Sequence, residues 1–381
     1  MKDYSLKNLA LYFLKLGALG FGGSVVLARI MQKDLVEKRK WLSDDEFLRG
    51  LTLSQLAPGP LAAQLAIYIG YIKASILGAT VAGVTFVLPS FLMVLVIGIL
   101  YSKFSNLSFM QSALFGIGAA VIGIIAYSGY SLTKKTMKNK FLLWFIYVVI
   151  FLLTVVTKSV NILFFIGAGL LTVIFYSKER IHFPRDWKKT WVTVPIFLYP
   201  STLMVNLMSI PLIKIFTFFF LAGSIAFGGG LAILPFLQHG VIQQYHWLNN
   251  KQFVDAVSVA MITPGPVVIA ATFIGYFAGQ IPGAVIATIA IFLPVYLIVI
   301  FLTPLFNKHA QNPQVVAFIE GVLAAAMASI AGSVVLLGQE SMTNTAEFVI
   351  AVLALVATKF FKVPSVIIVL AAGLIGILIF H

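Results

Sequence analysis

The sequence predicts an all-α polytopic membrane protein built from two inverted-topology repeats of about six hydrophobic segments each. Three observations predict it: an apolar composition, an internal repeat marked by glycine and proline, and matched loops of opposite charge. Of the 381 residues 60% are hydrophobic and 10% charged, with mean hydropathy +1.03, against roughly 45–50% and about 25% in soluble domains. Apolar runs near the ~20 residues that a spanning helix needs recur along the whole chain and leave no length for a soluble domain. Function is therefore expected inside the bilayer or at its faces. The net charge of +14 fits cytoplasmic loops under the positive-inside rule, and no basic, aromatic-rich module is present to bind nucleic acid. Cysteine is absent, which excludes disulfides and thiolate metal sites. MKDYSLKNLALYFLKLG lacks a small-residue cleavage site and reads as a first transmembrane segment.

The repeat has an offset of 206: LKLGALGFGG (14–23) answers FLAGSIAFGG (220–229). The same offset pairs Gln32 with Gln238, Trp41 and Leu42 with Trp247 and Leu248, Phe47 with Phe253, and Pro58-Gly59-Pro60 with Pro264-Gly265-Pro266. Beyond the PGP the second copy is one residue shorter, and Gly70-Tyr71, Gly78-Ala79, Leu88-Pro89 and Gly116 match Gly275-Tyr276, Gly283-Ala284, Leu293-Pro294 and Gly321. Two domains follow, 1–177 and 210–381, with 178–209 as a solvated linker plus an extra apolar stretch.

Each half is read as a long helix (9–31; 212–237), a polar loop, a PGP segment (43–72; 249–277) and four further apolar segments. LTKKTMKNK (132–140) carries four lysines, while its counterpart LGQESMTNT (337–345) carries no Lys or Arg. Positive-inside reasoning then sets the two loops on opposite faces, the inverted arrangement of many secondary transporters. Loop charge does not choose between PGP segments that cross the membrane and PGP segments that re-enter.

Ser43-Asp44-Asp45-Glu46 is a capping box, so a helix starts there and must stop by Ala57, before Pro58. Roughly 14 residues at 1.5 Å each reach about 21 Å, short of the ~30 Å hydrocarbon core. The break thus falls inside the membrane. Pro60 suits the first turn of a new helix, leaving the N–H groups of Leu61, Ala62 and Ala63 as unpaired donors. Such backbone is tolerated only where protein buries it or a wet cavity reaches it, and a helix N-terminus carrying roughly +0.5 charge is a ready anion site. Gln64 adds an amide to the same helix. In the second copy Pro266 opens a helix with the donors of Val267, Val268 and Ile269, and Thr263 adds a hydroxyl. The two N-termini are expected to meet near the midplane. Gly22, Gly23 and Ser24, with Gly228, Gly229 and Gly230, either pack helices closely or open them to a ligand.

FGG, a polar loop ending in KRKWLSDDEF, QLAPGPLAAQLAIYIGY, then FGGGLAILP, HWLNNKQF and ITPGPVVIAATFIGY together resemble the chromate ion transporter family in its fused, two-domain form, over essentially the whole chain. The resemblance implies proton-motive-force-driven export of chromate across a prokaryotic cytoplasmic membrane, with sulfate as a close analogue and no cofactor. Gln55 joins the glycines and prolines above among the positions carried over. Two departures touch positions expected to face substrate: Ser24 and Leu27 stand where the family has proline and histidine, and Met261 where it often has glutamine. Transport of sulfate or another small anion, or an uncoupled anion channel, is the alternative. The expected partners are the oxyanion, protons and the lipid bilayer, and a homodimer is compatible with this architecture.

Intramembrane ionisable groups are functional candidates by default. Arg29 and Arg49 are candidates to compensate a dianion, Asp255 and Glu320 to couple protons, whereas Lys15 and Lys214 read as snorkelling side chains. An intramembrane hydrolase finds no support: the five histidines fall in linkers, loops and the terminus, and neither HExxH nor GxSxG occurs.

Overall fold

The structure, a computed structural model, describes residues 5–21, 23–105, 107–137, 140–159, 162–176, 211–226, 230–309, 313–342 and 344–380. The 178–209 linker with its extra apolar stretch, and Gly22, Gly228 and Gly229, lie outside them. Every described element is helical. Among the described residues four helices are long and apolar enough to cross a membrane, at Leu61–Phe104, Ser108–Lys134, Val267–Phe301 and Pro313–Gln339, and the protein is a polytopic membrane protein.

The expected long first helix is two helices. α1 (Leu6–Leu19) ends at Gly20, where ψ of 81° turns the carbonyl out of the helical ladder, and α2 (Gly23–Met31) restarts and loosens into a π-helical turn, Gln32–Lys38. The second long helix divides likewise, into α8 (Pro211–Ser224) and α9 (Leu234–Gln238), the latter running into the π-helical turn His239–Gln244. Glycine-rich breaks interrupt both, because chain without Cβ atoms gives the helix little to hold it.

α3 (Asp44–Leu56) starts at the expected capping box, with the Glu46 N–H donating to Ser43 Oγ (3.2 Å) and the Ser43 N–H to Glu46 Oε2 (2.9 Å). It stops at Ala57, whose ψ of 150° is extended, as the residue before proline requires. α4 (Leu61–Phe104) contains a bend at Ala74 and Ser75, where Ser75 has φ 51°. That bend divides it into a short arm, 61–73, and a long arm, 76–104.

These pieces fold back on one another. Across the PGP, Gly50 packs its backbone on the Tyr68 ring, and Glu46 reaches Lys73 (3.5 Å). Helices in line would hold those pairs tens of ångströms apart, so α3 and the short arm form a helical hairpin with Pro58-Gly59-Pro60 at its tip. Across the bend, Gly70 and Gly78 bring backbone against backbone, so the long arm reverses direction again.

The second half repeats this design. α10 (Asn250–Ile262) has its own capping box, Asn249 with Gln252. After the PGP comes a 3-10 turn, Val267–Ile269, then α11 (Ala270–His309), bent at Gly279 and Gln280 into arms 270–278 and 281–309. Its arms meet at Gly275 against Gly283 and at a Thr272–Thr288 hydroxyl pair (2.7 Å). The residues with positive φ match across the halves as Lys40 with His246, Gly59 with Gly265, Ser75 with Gln280, and Lys158 with Lys362. Buried Phe13 and Phe47 answer Phe219 and Phe253.

The long arm of α4, about 43 Å at 1.5 Å per residue, relates the two hairpins. It begins at the open end of the first, beside Lys73. Midway, Ser90 Oγ donates to the Pro264 carbonyl at the second tip (2.7 Å). At its far end Gly98, Tyr101 and Ser102 meet Phe273, Tyr276 and Phe277, at the open end of the second. In return, Val295 on the long arm of α11 sits against Gly59 at the first tip.

The remaining helices are exchanged. α6 (Phe141–Thr157) and α7 (Ile162–Tyr176) of the first half pack on α12 (Pro313–Ser341) of the second; α13 (Thr345–Val356) and α14 (Ser365–Phe380) of the second pack on α5 (Ser108–Met137) of the first. The closest approaches correspond: Gly116 against the Ala372 carbonyl, Gly321 against that of Ala168.

Candidate anion site at the hairpin tips

Both tips are built by backbone. Gly59 has φ 132° and Gly265 φ 102°, a region that side chains rarely enter, so each PGP turns sharply enough to reverse a helix. The Gly59 N–H donates to the Ala226 carbonyl (2.9 Å), and the Gly265 N–H to the Gly20 carbonyl (3.2 Å). Each tip is therefore tied to the glycine-rich break of the other half. These two bonds are related by the 206-residue offset. Gly230 completes the cluster: a Cβ there would lie 3.3 Å from Val267 Cβ and 3.4 Å from the Val268 nitrogen.

The new helices start one residue later than expected. Pro60 (φ −71°, ψ 113°) and Pro266 (φ −81°, ψ 138°) are the caps, and Leu61 and Val267 the first helical residues. Neither cap has a side-chain hydrogen bond, because proline has none to offer. The first-turn N–H groups of Leu61, Ala62 and Ala63 precede the first intrahelical bond, which is Gln64 N–H to the Pro60 carbonyl (3.0 Å). In the second helix the tighter 3-10 turn takes up the Ile269 N–H, bonded to Pro266 (3.0 Å), which leaves the donors of Val267 and Val268. Pro60 and Ala62 are buried, as is Val268; Leu61, Pro58 and Val267 are partly covered.

The side-chain donors read from the sequence are already used. Gln64 is fully buried, but its Nε2 donates to the carbonyls of Pro58 (2.6 Å) and Ala57 (3.2 Å), closing off the last turn of α3. Thr263 donates its hydroxyl back to Val259 (3.0 Å) in its own helix. Neither amide hydrogen nor hydroxyl is left for an anion. Arg29 and Arg49 are exposed, as is Gln55, and Ser24 is partly covered in the first turn of α2, which Gly23 opens. No lysine or arginine is among the buried residues described. Among the described residues, the positive groups at the tips themselves are the helix ends.

The two acidic candidates differ. Asp255 is 1% exposed, and its Oδ2 accepts from the Tyr101 hydroxyl (2.6 Å) across the two halves; Lys251, one turn earlier, lies over the Phe115 ring. Glu320 is ion-paired with Lys140, again between halves. His239 stands in the π-helical turn, with Nδ1 2.8 Å from Gln243 Oε1. No group of His, Cys, Asp and Glu among the described residues has a metal-site geometry.

Sequence reasoning missed Gly20, Ala226, Ser90, Tyr101 and Val295. Gly20 and Ala226 were within the matched motifs, one position short of the FGG. Ser90 and Val295 follow the matched Leu-Pro pairs, so the repeat pointed to their place but not to their partners. Tyr101 carried no signal beyond being polar in an apolar run.

A family model described as chromate transporter matches residues 7–174 and again 213–377. A chromate transport protein of Cupriavidus metallidurans is 49% identical over 377 residues, covering 98% of this chain and 93% of the relative. A probable chromate transport protein of Synechococcus elongatus is 44% identical over 380 residues, with 98% and 96% covered. An uncharacterized transporter of Methanocaldococcus jannaschii is 30% identical over 320 residues, with 81% and 78% covered. No solved structure matches.

Proposed function

The chain belongs to the chromate transporter family, and from that premise we propose that it exports a tetrahedral oxyanion, chromate first among them, as a secondary transporter of the cytoplasmic membrane driven by the proton motive force. The observation that carries this reading is the reciprocal tie of the two tips, Gly59 to Ala226 and Gly265 to Gly20. On this reading the two helix N-termini, whose first-turn N–H groups have no intrahelical partner, share one anion, the second tip lying about halfway along the long arm of α4 at Ser90 and the first against Val295 of α11. Backbone N–H groups aimed at a common point bind anions without regard to side-chain identity.

On this reading the halves are inverted repeats and both PGP hairpins are re-entrant, the first from one face and the second from the other. The correspondence of positive-φ residues and the contacts at the two ends of the long arm support it. α3 and the short arm are each about 20 Å long, too short to cross alone but long enough to carry a tip to the midplane. Asp255 is the proton-coupling residue of this scheme: it is buried, belongs to the second hairpin and is held by Tyr101 from the first half. Glu320 has a structural occupation in its pair with Lys140.

Flux of labelled chromate and sulfate in proteoliposomes, with and without a pH gradient, tests the proposal. Gradient-driven chromate movement is expected; no movement of either ion refutes it, and current without proton dependence makes the protein a channel.

A further inference from the structure

Resting on the transporter reading, we propose that the ion carried is the singly protonated oxyanion, a tetrahedral monoanion whose hydroxyl donates to Gln64 Oε1 at the first hairpin tip. Two independent features lead there. The first is the orientation of the Gln64 amide. Its Nε2 is fixed by the Pro58 and Ala57 carbonyls, and a planar amide so held has no freedom to turn over. Oε1, equally buried, is left with no partner. The amide lies at the tip itself, since a Cβ on Gly59 would come within 2.8 Å of Nε2. An acceptor thus stands beside the free N–H donors of Leu61, Ala62 and Ala63. A fully deprotonated oxyanion offers only acceptors and would repel Oε1. One that retains a hydroxyl satisfies both kinds of group.

The second feature is charge. Each helix N-terminus contributes roughly half a positive charge, so two supply about one. The described residues around them add none: on α1 and α2, Lys15 and Arg29 are exposed; on α3, Arg49 is exposed; Lys73, on the short arm with Tyr68, is paired with Glu46 at the open end. On the long arm of α11 Tyr296 meets Thr80, and on α10 Asp255 is bonded to Tyr101. A monoanion matches what the tips supply, whereas a dianion would leave one charge uncompensated in an apolar setting.

The consequence is selectivity by acidity. Chromate takes up a proton near neutrality, while sulfate does so only in strong acid, so the same tetrahedral shape is admitted in one case and refused in the other. The test is equilibrium exchange of labelled chromate in proteoliposomes at equal pH on both sides, which removes the gradient, over the range in which chromate protonates. The total chromate needed for half-saturation should rise about tenfold per pH unit on the alkaline side and stay constant when expressed as the hydrogen form, and sulfate should compete poorly throughout. Half-saturation that ignores pH, or sulfate competing as well as chromate, assigns Oε1 a bound water and overturns the inference while leaving the transporter reading intact. Absence of any exchange overturns the transporter reading itself. Gln64→Leu should narrow the chromate-to-sulfate preference by about tenfold. Lost stability with an unchanged preference, the result of a purely structural role, also overturns the inference.

Discussion

Gly59→Ala puts the hairpin tip to its hardest test. The residue has φ 132°, and forcing a side chain into so sparsely populated a region costs about 1–3 kcal/mol. The added methyl would meet Val295 Cγ2 at 2.6 Å and Gln64 Nε2 at 2.8 Å. Both neighbours are held, one in the core of α11 and one by two carbonyls, so overpacking adds about 1–3 kcal/mol. The sum, about 2–6 kcal/mol, is a large share of an ordinary folding free energy of roughly 5–15 kcal/mol. Unfolding of the purified protein in detergent measures it, with Gly265→Ala and Gly167→Ala alongside. Gly265→Ala should behave like Gly59→Ala, because it combines φ 102° with a clash against Ser90. Gly167, helical with nothing within 4 Å of its would-be Cβ, should gain about 0.5–1 kcal/mol from the better helix former. If all three variants unfold alike and transport alike, the tips do not have the geometry described.

Other expectations follow from the same contacts. Because the chain has no cysteine, Ser75→Cys and Gln280→Cys should react with a membrane-impermeant maleimide from opposite faces; labelling from one face refutes the inverted arrangement. Tyr101→Phe should cost about 1 kcal/mol, the worth of a buried hydrogen bond, and much less in an Asp255→Ala background, where no acceptor remains and a double-mutant cycle reads the coupling; additive effects would mean the pair does not interact. Asp255→Asn should abolish proton-gradient-driven flux while sparing exchange at equal pH. At Glu46, burial raises the carboxyl, but the Ser43 backbone bond and Lys73 outweigh it and hold it below its ordinary value. Its stabilisation is thus present above the ordinary carboxylate range and lost as pH falls through the lowered value. The carboxyl side is 44% exposed, so the effect is under about 1 kcal/mol, and Lys73→Met should flatten that acid limb of the unfolding profile.

The capping box at Ser43, the stop before Pro58 and the offset that pairs the halves were legible in the sequence because each is local chemistry or direct likeness. The folding back of α3 on the short arm was not. A proline–glycine–proline break is compatible with a kink or a reversal, and only the contacts of Gly50 with Tyr68 and Glu46 with Lys73 distinguish them. Gln64 illustrates a different limit. Its amide was expected to serve an anion, but the carbonyls stranded at the end of α3 lie nearer and claim both hydrogens. The position of Arg29 and Arg49 in apolar runs predicts counter-charges, but the face of the helix on which each stands exposes them instead.

The exchanged outer helices bear on how the protein is made. α6 and α7 leave the ribosome with their apolar faces uncovered, and their partner α12 is yet to be synthesised. The Thr172 hydroxyl must wait for the Ala317 carbonyl, 145 residues later. Until then those faces stand in lipid or against the insertion machinery, so the first half has no finished form of its own. Synthesised as two separate chains, the halves would need to meet in the same membrane before either could complete its packing.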